Sequence, residues 1–125
     1  MGEGTITGIG GVFVRSSNPE ALASWYREHL GFVVTTAGNP DPEGNYVWLQ
    51  QAGATVFSIF PADSDYFATE RQIMLNLRVD GLAALLARLE GAGILVSHRE
   101  AMEGVGQFAR IHDADGNPLE LWEPG

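Results

Sequence analysis

Apolar residues in this chain follow two periods, and the two occur in the same order twice. Between Asn18 and Gly31, Leu22, Trp25, Tyr26 and Leu30 fall on one helical face. Asn18 followed by Pro19 reads as an N-cap with proline in the first turn, and Gly31 as the terminator. In the second half Leu82, Leu85, Leu86 and Leu89 form the matching stripe, with Asp80 as the expected cap and Gly91 and Gly93 beyond it. Around the helices the period drops to two. Tyr46 to Gln50 and Thr55 to Phe60 flank Gln51-Ala52-Gly53-Ala54, while Gln107 to His112 and Pro118 to Trp122 flank Asp113-Ala114-Asp115-Gly116-Asn117. Both pairs predict hairpins.

The order repeats because the sequence does. Val12-Phe13-Val14-Arg15 aligns with Leu75-Asn76-Leu77-Arg78, and Leu30-Gly31-Phe32 with Ala92-Gly93-Ile94. Each copy runs strand, polar turn, amphipathic helix, glycine, strand. One helix cannot cover both faces of a small sheet, so two such units are expected to pair, with a ligand cleft at their seam. The expected fold is α+β, a single domain of residues 1–125 with module one at about 5–61, a linker at about 62–71 and module two at about 72–125. The loop from Gly38 to Gly44, with Pro40 and Pro42, is the candidate lid. Strand alternation places Val12, Val14, Val47, Leu49, Phe57, Ile59, Leu75, Leu77, Ala109, Ile111, Leu119 and Leu121 toward the helices. The other face carries Gly11, Phe13, Arg15, Trp48, Val56, Ser58, Phe60, Met74, Asn76, Phe108, Arg110, His112, Glu120 and Trp122. That set is too apolar for bulk water and too mixed for a plain core, and so reads as a pocket lining.

Composition narrows the function classes. The 125 residues suffice for one unstapled core. A formal charge of −9 with no basic run disfavours nucleic acid; the same field would steer a cationic small molecule favourably, although acidity is also a common solubility device. The absence of cysteine removes disulfides, thiolate nucleophiles and thiolate metal sites, which suits a reducing cytoplasm. Neither a secretory leader nor a membrane-spanning apolar run is present, so no membrane role is expected.

Trp25-Tyr26 and His29-Leu30-Gly31-Phe32 in the first helix, with Asp113-Ala114-Asp115-Gly116-Asn117-Pro118-Leu119-Glu120-Leu121-Trp122 at the end, resemble the vicinal oxygen chelate superfamily. This is the group of glyoxalases, bleomycin-resistance proteins and extradiol dioxygenases. The resemblance runs from Ile9 to Trp122 and implies two paired βαβββ modules forming curved mixed sheets around a central cleft, commonly in homodimers. It also implies, in metal-using members, four ligand positions from the first and last strands of each module. Carried over to this chain they fall at Gly11, Ser58, Met74 and Glu120, of which only Glu120 suits a hard divalent ion. No metal or other cofactor is therefore expected, because Lewis-acid chemistry needs several donors and an open position.

The remaining candidates follow from residue type. Glu120 is either a buried proton-shuttling base or the partner of Arg110, which lies opposite it if Ile111 pairs with Leu119. His112, near the hairpin turn, is a second acid–base candidate. His29 is placed to complement a helix dipole, and His98 to sit on an edge strand. Ser58 has no nucleophile elbow, and Gly8-Ile9-Gly10-Gly11 has no lysine-serine pair after it. The expected ligand residues are Phe13, Trp48, Ser58, Phe60, Met74, Asn76, Phe108, Arg110, Glu120 and Trp122, aromatic walls with a few polar points. The reading is a metal-free binder of a small aromatic or cationic organic molecule. The alternatives are an enzyme of the superfamily, either a metal-dependent lyase or dioxygenase or an isomerase or epimerase using Glu120 or His112, and a structural dimer whose cleft is filled by its own side chains.

Overall fold

The computed structural model describes residues 4–125. Its elements are α1 (Pro19–Leu30), β1 (Leu75–Arg78), α2 (Leu82–Gly91), β2 (Ser97–Met102), β3 (Gly106–His112) and β4 (Pro118–Pro124). The fold is α+β, with one mixed sheet in the order β1-β4-β3-β2, β1 parallel to β4 and the other neighbours antiparallel. The β3–β4 hairpin has the expected register, Ile111 opposite Leu119 and Arg110 opposite Glu120.

One face of that sheet forms the core. Ala109, Ile111, Leu119 and Leu121 pack with Leu82, Leu86 and Leu89 of α2 and with Leu22 and Tyr26 of α1. Each fully buried leucine in such a cluster contributes about 1.5–3 kcal/mol of hydrophobic transfer energy. The helix from the first half of the chain therefore shares a core with the strands of the second half.

The helix ends are fixed by three devices. Asn18 Oδ1 accepts from Ala21 N at 3.2 Å, and Gly31, at φ +74°, donates to Tyr26 O. The cap of α2 differs from the expected Asp80. Gly81 takes the cap position in the left-handed region, and the Glu123 carboxylate accepts from Gly81 N and Leu82 N at 3.0 Å each. The parallel pairing of β1 with β4 brings this carboxylate from 41 residues away to the start of the helix. At the β3–β4 turn Asp113 Oδ1 accepts from Asp115 N and Asn117 N, and Tyr26 Oη donates to Asp113 Oδ2 at 2.6 Å. The turn motif thus anchors α1 to the sheet.

The first unit departs from expectation in its strands. Segments 9–15, 46–50 and 55–60 carry no strand pairing among the described residues. Val12, Val14, Val47, Leu49, Phe57 and Ile59, expected under the helices, are exposed, Leu49 by 88% and Ile59 by 87%. The reason is spatial, since the stripes of both helices are already covered by β3 and β4. The hairpin connection is held at one point, where Arg78 donates to Gln51 O and Ala54 O at 2.8 and 2.7 Å. The expected lid loop is knit around Asp41, whose Oδ1 accepts from Glu43 N and Asn45 N. These bonds, the backbone bond from Asn45 first, hold the Asp41 carboxyl below its ordinary range. No described helix is long and apolar enough to cross a membrane.

Candidate functional site

Residues alternating with the core strand positions face the opposite side of the sheet. There Asn76, Glu120 and Arg110 form a row across β1, β4 and β3, fixed by the pairings Asn76 to Glu120 and Glu120 to Arg110. One step along, Phe108 lies opposite Trp122, their rings nearly parallel with centroids 6.2 Å apart. Trp122 Nε1 donates to Val105 O, which orients the indole.

Segment 62–71, expected as a linker, roofs this row. Tyr66 Oη donates to Glu120 Oε2, and its ring lies under the Arg110 guanidinium, 5.2 Å from Cζ to the centroid. Phe60 stacks on Tyr66 at 5.2 Å. Between roof and sheet is a cavity of about 310 Å³ lined by Asp65, Tyr66, His98, Glu100, Phe108, Ala109, Arg110 and Glu120. A wider groove of about 410 Å³ lies elsewhere, between Arg15, Ser16, Ser17, Arg71, Asp115 and Asn117. It has no aromatic wall, and Arg71 is engaged there by Asn117 Oδ1, so the smaller cavity is the better site.

Two of the charged residues in the lining are buried and incompletely matched. Arg110 is 4% exposed and Glu120 7%, with Arg110 Nη2 3.9 Å from Glu120 Oε2. Asn76 Nδ2 donates to Glu120 Oε1 at 2.8 Å, so both carboxylate oxygens already accept from neutral donors. Arg110 Nε, in contrast, is buried with no partner among the described residues. Buried polar groups are nearly always paired, which marks this N–H as a donor awaiting an acceptor. Desolvation first, and then the bond to Glu120 and its charge, push the Tyr66 hydroxyl up to about 12. Tyr66 is a neutral donor at physiological pH.

Of the expected ligand residues, the structure brings Asn76, Phe108, Arg110, Glu120 and Trp122 together and adds Phe60 through its stack on Tyr66. Phe13 is 98% exposed, Ser58 is exposed, and Trp48 stacks instead on Phe32 with centroids 4.4 Å apart. Met74 is half-buried just before β1. His112 is exposed at the end of β3 and does not line the cavity. The sequence reading missed Asp65, Tyr66, His98 and Glu100. Tyr66, an aromatic inside a polar segment, was the signal available for the first two.

The four superfamily metal positions do not fit a divalent ion. Gly11 offers no side-chain donor, Ser58 is exposed, Met74 is a thioether, and Glu120 has both oxygens engaged. Among the described residues no three His, Asp or Glu side chains are grouped to hold one.

A family model described as a glyoxalase-like domain matches residues 11–122. The chain belongs to the glyoxalase-like family. Among solved structures, the glyoxylase/bleomycin resistance protein/dioxygenase domain from Frankia sp. EAN1pec is 19% identical, covering 97% of this chain and 100% of that one, with a TM-score of 0.62. The antibiotic-binding protein TnmS3 from Streptomyces sp. CB03234 is 24% identical, covering 90% and 91%, with a TM-score of 0.56. A bleomycin resistance determinant encoded on transposon Tn5 is 22% identical, covering 87% and 91%, at 0.52. At these identities the likeness is one of fold. No curated protein sequence matches the chain.

Proposed function

We propose that this glyoxalase-like protein binds a small organic molecule in the cavity beneath Tyr66, without a metal ion. The observation that carries this reading is the buried Arg110 Nε, without a partner among the described residues, on a wall shared with Phe108 and Tyr66. A ligand oxygen can accept from it while the ligand's apolar part packs on the rings. The lining carries three acidic residues, Asp65, Glu100 and Glu120, with Arg110, so the ligand carries positive charge elsewhere. The chain's formal charge of −9 steers in the same direction. The antibiotic-binding character of TnmS3 agrees with a binding role. Acid–base catalysis is less well supported, since Glu120 accepts two hydrogen bonds and His112 lies outside the cavity.

A charge series tests the reading. Calorimetric titration with tyramine, p-cresol and 4-hydroxyphenylacetate keeps the phenol constant while changing the charge of its tail. Affinity is expected to fall in that order, with the anion weakest. Equal affinity for all three, or preference for the anion, overturns the cationic assignment. No heat from any of them counts against the cavity as a ligand site.

A further inference from the structure

We propose that His98 is a ligand-contacting, specificity-determining residue of this cavity, extruded into it by a β-bulge. The inference rests on the binding role proposed above and adds a residue to it. Ser97 pairs with Arg110 and Glu100 pairs with Phe108, so two residues of β2, His98 and Arg99, stand against the single Ala109 of β3. In an unbroken register His98 would lie opposite Ala109, on the face covered by the helices. Arg99 holds the helix side instead, its guanidinium 2.7 Å from Glu90 on α2. His98 lines the cavity with Tyr66, Arg110 and Glu120.

The bulge forces His98 to φ +51°, in the left-handed region that side chains rarely adopt. Ala37 is the other described non-glycine residue there, and it lies in the turn bridged by Thr36 and Asn39. A glycine at position 98 would build the bulge without strain. Strain of this kind persists where the surroundings over-determine it, and it gathers at ligand sites. The ring is also oriented, since Ser97 Oγ and His98 Nδ1 form a hydrogen bond of 2.9 Å that leaves Nε2 for a ligand. The site then offers two nitrogen contacts, Arg110 Nε on the floor and His98 Nε2 at the wall. A molecule with polar groups at both ends of a flat body satisfies both.

The test compares wild type with His98→Gly and His98→Asn, tyramine being the probe for binding and thermal melting the measure of folding. Both substitutes tolerate the left-handed backbone. Loss of one neutral hydrogen bond is expected to weaken tyramine binding roughly three- to tenfold. His98→Gly should melt at or above the wild-type temperature, because it relieves strain while losing a contact. If tyramine binds wild type and both variants alike, the role of His98 is overturned and the cavity reading stands. A melting temperature that drops sharply in both variants shows a structural role and also overturns it. If tyramine fails to bind wild type, the inference and the cavity reading fall together.

Discussion

Two tyrosines serve different ends through the same chemistry, a phenol donating to a carboxylate. Tyr26 is buried in the core and donates to Asp113; burial first, and then that bond, raise its hydroxyl far above the ordinary range. The folded state therefore favours neutral Tyr26. This stability is complete below the unfolded value near 10 and is lost as pH rises toward the folded value. Tyr26→Phe should cost about 1.5–3 kcal/mol at neutral pH, the range for a bond to a charged acceptor, measured by denaturant unfolding. It should also flatten the alkaline limb of stability; an unchanged limb would show that Tyr26 is not its source. Tyr66 reads out the cavity. Removing the carboxylate charge by Glu120→Gln should bring its pKa down from about 12 toward, but not to, 10, because desolvation, the largest cause, remains. Tyrosinate absorbance titration, with Tyr66→Phe to assign the signal, measures this. A value that does not move would mean that Tyr66 and Glu120 are not bonded in solution.

At the scale of elements, sequence pattern succeeded where the signal was local. The Asn18-Pro19 start, the Gly31 stop, both leucine stripes and the β3–β4 register follow from periodicity and turn chemistry, and the structure contains them. It failed where a contact crosses the chain. The α2 cap is supplied by Glu123, which no reading around Asp80 can see, since parallel pairing of β1 and β4 has to form first. Tyr66 escaped for the same reason, its segment having neither period. His98 escaped because a bulge changes parity, and a period-two reading assumes none. The cap makes a pH prediction of its own. Bonds from Gly81 N and then Leu82 N lower the Glu123 carboxyl, so its contribution is present above the unfolded value and fades as pH falls through the folded one. Glu123→Gln should lower the melting temperature at neutral pH and leave it closer to wild type in acid. A constant gap across that range would mean the carboxylate charge is not what caps α2.

At the scale of the whole molecule, the duplicated pattern of the sequence is only half realised within one chain. The second half of the chain forms its sheet, whereas segments 9–15, 46–50 and 55–60 remain unpaired among the described residues. They keep the alternation of strands while exposing Phe57 by 82% as well as Leu49 and Ile59. An isolated chain gains little from holding such surface in water, and unpaired extended backbone is a template for another strand. A second copy brings the same segments in the same order, so a two-fold arrangement can pair them with each other or with a free sheet edge. Phe13 and Ser58, which stand apart from the cavity here, sit on these segments, so pairing also decides whether they reach a ligand. The expected species is a homodimer, sedimenting at twice the 13.5 kDa chain mass throughout the micromolar range. Charges on these segments, introduced as Leu49→Glu with Phe57→Glu, should shift that equilibrium toward monomer, while the shared core, which contains neither residue, keeps its helical circular dichroism. A wild type that sediments as a monomer at every micromolar concentration would sink the arrangement and leave the exposed segments without a partner.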